Sequence, residues 1–314
     1  MKIVFFGTPV FAARHLEALV EQGIEVVAVV TKPDKPQGRN LVLQAPPVKT
    51  VAEKLLPQVP VFQPEKCSTP EFVEVLKAFQ ADLYVVVAYG EIIKQAVLDL
   101  PPLGSINVHA SLLPFYRGAA PIQRCLINGE AETGISIIKL VLKMDAGDVV
   151  CMEKIPITPN TTFPELEEDL CTLGCKCLLK TIHNFEKGLL EGVPQDHNLA
   201  TFASKITPEE SQIDWRRSGI AIHNLIRGVT PHPGAWCNVL VRGQKKRLKI
   251  LRSEYYPELN QMPGSVLGQG KNALAVACGE GGIWLKIVQL EGKQAMPITE
   301  VLKGISGNEI SFIL

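Results

Sequence analysis

Residues 1–30, MKIVFFGTPVFAARHLEALVEQGIEVVAVV, set an apolar run, a helical stretch and a second apolar run end to end. Ile3–Phe6 and Val26–Val30 are apolar and largely β-branched, with no polar alternation. That is the pattern of strands buried on both faces of a parallel sheet. Between them, Phe11–Gln22 repeats its apolar residues at helical spacing. Two buried strands joined by a helix predict a right-handed βαβ unit. The alternation continues downstream, with helices expected at Val48–Leu56 and Glu71–Gln80. The second of these opens on Thr69-Pro70, a capping residue followed by proline at the first helical position. Leu83–Val87, Ser105–His109 and Gly134–Leu140 read as further strands. The expected fold class is α/β, a Rossmann-like doubly wound sheet of mostly parallel strands, with ligands beyond the strands' carboxyl ends.

A chain of 314 residues is long enough for two domains. After a long helix around residues 163–187, the stretch LEGVPQDHNLATFASKITPEES turns polar and proline-bearing, which places a linker at 190–206. Residues 1–189 then form the first domain and 207–314 the second. The second should hold a helix at Trp215–Arg227 and a final helix from Pro297. Between them lie short strands at Ala235–Val241, Leu248–Tyr255, Ser265–Leu267, Ala273–Ala277 and Ile283–Gln289, punctuated by Gly and Pro as in a small β-barrel. Acids and bases balance at 32 each. Residues 207–314 nevertheless hold 13 Lys/Arg against 9 Asp/Glu, leaving 19 against 23 elsewhere, so a polyanion would favour the C-terminal part.

Several classes are set aside. The opening residues form no basic leader with an apolar stretch and cleavage site, and no run is long enough to span a bilayer, so a cytoplasmic protein without a membrane segment is expected. Eight cysteines in a chain of this length are no disulfide framework. Cys171, Cys175 and Cys177 lack the paired spacing of a structural zinc site and fit buried thiols on a core helix. After the first strand only Gly7 of a dinucleotide fingerprint is present, with Pro9 where the second glycine belongs. A nicotinamide-dependent oxidoreductase fails on those missing glycines.

The densest segment is Asn107-Val108-His109-Ala110-Ser111-Leu112-Leu113-Pro114 and the following FYRGAAPIQ. Residues 107 and 109 project to one side of a strand, so an amide and an imidazole stand together at its end. They are candidates for an oxyanion donor and a general base; the competing reading is a core histidine bonded to backbone. A second patch, Lys143–Asp148, reads KMDAGD. Asp145 either caps its glycine turn or orients His109.

Asn107, His109 and Asp145, with the SLLP run between them, resemble the catalytic trio of the 10-formyltetrahydrofolate-dependent formyltransferases. VFFGTPVFA, TKPDKPQGR, VVVAYGEIIK, HASLLPFYRGAAPIQ, ETGISII, IRGVTPHPGAW and KQAMP extend the resemblance along the whole chain, toward the branch that acts on methionyl-tRNA. The resemblance implies a folate site at Ala88, Tyr89, Gly90 and Ile92 and at Ser111, Leu112, Leu113 and Pro114, largely through backbone groups. It implies 10-formyltetrahydrofolate as formyl donor, methionyl-initiator tRNA as acceptor, an OB-like C-terminal barrel, no metal and a monomer. Arg39, in the long loop Pro33–Pro47 with Lys32 and Lys35, would meet the acceptor stem. Asn40, Leu41 and Val42 follow it where the family places lysines. The acid-free run Arg242, Lys245, Lys246, Arg247, Lys249 and Arg252 would track phosphates. Glycinamide ribonucleotide formyltransferases share the trio but lack residues 207–314. An amino-sugar formyltransferase, or a non-catalytic RNA-binding protein on the same scaffold, are the competing functions.

Overall fold

The computed structural model describes residues 1–37, 42–189, 191–268, 273–305 and 309–314. The chain forms two compact units, one of Met1–Gly118, Thr133–Ile155 and Glu167–Phe202, the other of Ala119–Glu132, Pro156–Leu166 and Ala203–Leu314.

Along the first 186 residues run β1 (Lys2–Gly7), α1 (Val10–Glu21), β2 (Glu25–Val30), β3 (Lys35–Gln37), β4 (Val42–Gln44), α2 (Pro47–Leu55), β5 (Val61–Phe62), α3 (Pro70–Lys77), β6 (Leu83–Val87), α4 (Gln95–Leu98), β7 (Ser105–His109), β8 (Arg117–Gly118), α5 (Pro121–Asn128), β9 (Glu132–Lys139), β10 (Val149–Pro156) and α6 (Phe163–Glu186). Seven strands make one sheet in the order β10-β9-β7-β6-β1-β2-β5. β1 pairs in parallel with β2 and β6, β2 with β5, and β6 with β7, whereas β9 runs antiparallel to β7. This is the doubly wound, mostly parallel sheet that the buried apolar runs require. Ile3, Val4, Phe5, Phe6, Ala28, Val29, Val30, Leu83, Val85 and Val87 have no exposed surface at all. Thr69 Oγ1 accepts from Phe72 N at 3.3 Å and starts α3, as its sequence anticipates.

The second unit continues with β11 (Phe202–Ala203), α7 (Gly219–Val229), β12 (Ala235–Val241), β13 (Gln244–Tyr256), β14 (Val266–Gly268), β15 (Leu274–Ala277), β16 (Gly282–Leu290), β17 (Met296–Pro297), α8 (Ile298–Gly304) and β18 (Ile310–Phe312). An antiparallel sheet runs β14-β15-β16-β13-β12-β18, with β17 added beside β16. It curls almost shut. A Cβ placed on Gly264, two residues before β14, would stand 3.6 Å from the Phe312 carbonyl of β18. Trp215, fully buried, meets Phe312 edge-on with ring centroids 5.1 Å apart, and Ile222, Ile226, Val239, Ile250 and Leu285 fill the same core. An OB-like barrel is therefore present.

The structure departs from the sequence expectations at several elements, β13 for one starting at Gln244 rather than at Leu248, and two of them have a clear physical reason. α7 begins at Gly219 because Asp214 Oδ1 accepts from Arg216 N at 3.1 Å, closing a turn, and Ser218 Oγ then caps the helix from Ala221 N at 3.4 Å. β10 was not anticipated. It is an edge strand whose residues are all half-buried or exposed, so no buried alternation marks it.

His223 on α7 is 2% exposed, accepts from Ser253 Oγ at 2.9 Å and donates through Nε2 to Pro159 O at 3.0 Å. Burial lowers its pKa, an effect partly offset by the Pro159 carbonyl. The unfolded chain thus takes up this proton at higher pH than the folded one. The stability His223 contributes is complete above the unfolded value of about 6.5 and is lost as pH falls, by up to about 1.4 kcal/mol per pH unit. Denaturant midpoints read between pH 7 and pH 5 should fall more steeply in the wild type than in His223→Gln. Parallel curves would exclude His223 as the source.

Candidate active site

The sheet changes its direction of growth at β1, which lies between β2 and β6, and the crevice outside their carboxyl ends is the position where such sheets bind ligands. There Thr8 Oγ1 donates to Tyr89 O at 2.9 Å, tying the end of β1 to the turn after β6. β6 and β7 lie in register, Val86 opposite Asn107 and Val87 opposite Val108, so the Ala88–Gly90 turn and His109 reach the same edge. Five non-glycine residues among those described have positive φ, and Ala88 (44°), Tyr116 (60°) and Asp145 (49°) are three of them. Backbone in this region costs free energy and concentrates at functional sites.

His109 is 5% exposed and its Nε2 lies 2.9 Å from Tyr116 O. A carbonyl only accepts, so Nε2 carries the hydrogen and Nδ1 is the nitrogen left to exchange a proton. Nδ1 faces Asp145 Oδ2 at 3.6 Å, longer than a direct hydrogen bond but within the range that tightens on substrate binding. Asn107 is half-buried, and its side-chain amide makes no hydrogen bond among the described residues. An amide and an imidazole therefore share one strand face, two residues or about 6.6 Å apart, and the imidazole faces a carboxylate.

The placement of Asp145 depends on a folded-back connection. Leu140 N donates to Ser105 O at the start of β7, yet Asp145 meets His109 at its end, about 13 Å further on by strand rise. The 140–148 segment must run back along β7, and three contacts hold it there. Gly118 N donates to Asp145 Oδ2 at 2.8 Å. Gln195 Nε2 donates to Asp145 O at 2.9 Å and to Gly147 O at 2.7 Å. Arg117, 1% exposed, donates through its terminal nitrogen to Gln195 Oε1 at 2.6 Å and to His197 Nδ1 at 2.9 Å. Arg117 and Gln195 were not singled out from the sequence. Arg117 stands inside the quoted FYRGAAPIQ run, and a lone arginine there carried no spacing signal. Gln195 falls in the stretch read as linker, where Val149 and Val193 also exchange two backbone bonds, at 2.9 and 2.8 Å.

The folate candidates divide by exposure. Ala88, Gly90 and Ile92 are exposed and Leu112 and Pro114 half-buried, whereas Tyr89, Ser111 and Leu113 are buried. Tyr89 stacks edge-on against Phe6 in the core, so only its backbone can face the crevice. Ser111 Oγ donates to Phe115 O at 2.6 Å, and Ser136 Oγ, which donates to Ser111 O at 2.7 Å, also accepts from Leu113 N at 3.1 Å. These bonds shape the loop rather than offer groups to a ligand. Cys171 and Cys175 turn toward α1, their Sγ atoms 3.7 Å from the Phe11 and Arg14 carbonyls. With His15 they form a compact cluster of metal-type donors. His15 Nδ1 is engaged by Phe11 O at 2.7 Å, and Nε2 lies against Gly174, where a Cβ would stand only 2.5 Å away. Neither nitrogen is turned out to an open coordination position.

Among the basic candidates, Arg39 lies outside the described residues. Lys32 pairs with Glu91 and lies over the Tyr89 ring, so it is not a free loop charge. Strand alternation divides the C-terminal run. Leu248 and Ile250 point into the barrel, and Lys245, Arg247 and Lys249 stand opposite Leu240, Asn238 and Trp236 on its outer face. Lys246 instead lines a cleft of about 610 Å³ with Arg242, Leu290, Lys293 and Met296. Arg242 is tied to Glu309 Oε1 at 2.9 Å and to Gly304 O at 2.8 Å, and Arg252 to Glu165 Oε1 at 3.4 Å. Lys249 Nζ donates to Pro233 O at 2.7 Å. Lys245, Lys246 and Arg247 have no ion pair among the described residues.

No helix among the described residues is long and apolar enough to cross a membrane. Residues 1–182 match the formyl transferase model and residues 205–306 the model of the formyl transferase C-terminal domain. A methionyl-tRNA formyltransferase of Protochlamydia amoebophila is 48% identical over 314 residues, covering 100% of this chain and 98% of the relative. One from Geobacter sulfurreducens is 41% identical, covering 97% of this chain and 94% of the relative. Among solved structures, WlaRD, a sugar 3N-formyl transferase determined with dTDP and 5-N-formyl-THF, superposes with TM-score 0.67 at 17% identity, over 94% of this chain and 99% of that one. HypX from Aquifex aeolicus with tetrahydrofolic acid gives TM-score 0.65 at 19% identity, over 96% of this chain and 47% of that one. With 1–182 and 205–306 matched by the two models and its full length shared with named relatives, the chain belongs to the formyl transferase family, among the methionyl-tRNA formyltransferases.

Proposed function

We propose that this enzyme transfers the formyl group of 10-formyltetrahydrofolate to the α-amine of methionyl-initiator tRNA by direct attack, with Asn107, His109 and Asp145 as its reacting groups. The observation that supports the assignment is His109 Nδ1 turned to Asp145 at the end of β7, with the free Asn107 amide two residues back on the same strand. Attack of the amine on the formyl carbon builds negative charge on the formyl oxygen. The Asn107 amide and a protonated His109 stabilise that charge, one such donor being worth about 3–4 kcal/mol. Asp145 holds the imidazolium in orientation and helps carry the amine proton toward the departing folate nitrogen, a contribution of roughly 10²–10⁴. No acyl-enzyme is needed, so buried Cys125 has no part. The amine must be neutral to attack, and a free α-amine titrates near pH 8, so turnover falls in acid.

The exposed backbone of Ala88 and Gly90 and the apolar Ile92, 72% exposed, suit a flat heterocycle with donors and acceptors on its edge. Leu112 and Pro114 would extend that surface. We assign residues 1–189 to donor binding and catalysis, 190–206 to the connection, and 207–314 to tRNA contact through Lys245, Arg247 and Lys249, with Arg39 at the acceptor stem. Arg242 and Lys246 stand behind them at the cleft. The enzyme would work as a cytoplasmic monomer and without a metal.

The test is incubation of the protein with 10-formyltetrahydrofolate and methionyl-initiator tRNA, followed by release and separation of the amino acid. N-formylmethionine is the expected product. Transfer to a nucleotide-linked amino sugar, with methionyl-tRNA left unmodified, would reassign the acceptor.

A further inference from the structure

Trp236 and Arg247 form a pair that the tRNA reading does not by itself call for. The Arg247 guanidinium carbon lies 4.0 Å from the centre of the Trp236 ring. The ring is itself fixed, since Trp236 Nε1 donates to Pro208 O at 2.9 Å. Arg247 is exposed; Glu291 Oε2 accepts from its main-chain N–H at 3.0 Å, but its guanidinium has no ion pair among the described residues, unlike the charged groups of Arg242, Arg252 and Lys286. A planar cation thus sits over an anchored indole, on a side chain exposed to solvent. Asn238 stands directly opposite Arg247 on the neighbouring strand, and Lys249 directly opposite Trp236. Lys245 continues the row two residues along β13, opposite the exposed Leu240.

Phosphate attraction alone needs charge and no particular plane, so flexible lysines would serve it. A guanidinium stacked on an aromatic ring offers a second, pre-ordered plane, the surface on which an unpaired base stacks. Asn238 adds an amide able to donate and accept at a base edge. The cleft on the other side of β13 also has a guanidinium and an amide, Arg242 and Gln244, but no aromatic side chain on which a base or guanidinium could stack, and Arg242 is tied to Glu309.

We infer that Trp236 and Arg247 form a stacking ladder that takes an unpaired base of the bound tRNA, with Lys245 and Lys249 on the flanking phosphates. The basic run would then act through one strand face, and by shape as well as charge. This inference rests on the tRNA-binding reading above.

The experiment measures binding of methionyl-initiator tRNA to the full-length protein across a salt series, for wild type, Arg247→Lys, Arg247→Ala and Trp236→Leu. Arg247→Lys keeps the charge and removes the plane. Loss of one stacked base corresponds to roughly 5- to 150-fold weaker binding. Arg247→Lys should show that loss with an unchanged salt slope, and Arg247→Ala a similar or larger loss with a shallower slope. Trp236→Leu should follow Arg247→Lys, and unfolding midpoints identify any variant that loses affinity by losing its fold. Wild-type affinity in Arg247→Lys would overturn the ladder and leave Arg247 as a point charge. Failure of the wild type itself to bind tRNA would instead strike the tRNA-binding reading, a result separable from the first. A single-stranded oligonucleotide competing with tRNA in the wild type and not in Arg247→Lys would support the stacking mode directly.

Discussion

Replacing His109 by alanine is expected to lower formyl transfer to methionyl-tRNA at least a hundredfold, within the 10²–10⁴ range of a positioned acid–base group. The expectation follows from which atoms are already occupied. Nε2 is fixed on the Tyr116 carbonyl, so the imidazole cannot rotate freely and Nδ1 is aimed at the space shared with Asp145. Alanine removes the proton carrier and the cationic donor together, effects exerted on the transition state more than on bound substrate. kcat and kcat/KM should therefore fall together while KM for the tRNA changes little. Asn107→Ala should cost about 10²–10³ through loss of one oxyanion donor. The double variant should lose less than the product of the single losses, because both groups serve the same oxygen. His109 lies in a sheet whose core is made by other side chains, so the unfolding transition should persist. Turnover close to wild type in a folded His109→Ala protein would remove His109 from the reaction and leave it a buried histidine bonded to backbone.

How much of this was legible beforehand depended on whether the signal was local. Buried parallel strands announce themselves by composition, so β1, β2, β6 and β7 emerge from the sequence within a residue or two. Asn107 and His109 are legible for the same reason, since two side chains on one strand must share a face. Their partner Asp145 was legible only as one of two alternatives, a cap on its glycine turn or the group that orients His109, and the resemblance alone placed it in the trio. Asp145 reaches His109 only because 140–148 doubles back along β7, a long-range arrangement that no local pattern encodes. Arg117 and Gln195, which hold that segment, are 78 residues apart in sequence and neither stands in a motif of its own. The division of the basic run into two faces lies between these cases. Alternation along β13 predicts it once the strand is known to reach back to Gln244, but a start at Leu248 hides it. Edge strand β10 escaped because half-exposed residues carry no burial period.

Gly147→Ala should come close to His109→Ala in its effect on turnover, although residue 147 has no group that could touch substrate. A Cβ at Gly147 would stand 1.8 Å from the Lys139 carbonyl oxygen, and the obstacle is backbone, which cannot rotate away as a side chain could. Lys139 is held on both sides, its residue paired with Ile106 of β7 and its N–H bonded to Asp148 O at 2.9 Å. The strand will not yield, so the connection must. Asp145 and Gly147 each give their carbonyl to Gln195 Nε2, and displacing one withdraws the staple from the other. A shift of about 1 Å in a catalytic group costs on the order of 10²-fold in rate. Gly104→Ala provides the contrast. Nothing lies within 4 Å of its added Cβ, and only a positive φ of 79° opposes it, so it should lose some stability and keep its turnover. The decisive comparison is of kcat in Gly147→Ala and in Asp145→Asn. If the loop acts only by carrying the carboxylate, the two should lose comparable activity, and combining them should add little. If Gly147→Ala turns over normally, the segment has another route around Lys139, and the placement of Asp145 does not depend on this close approach.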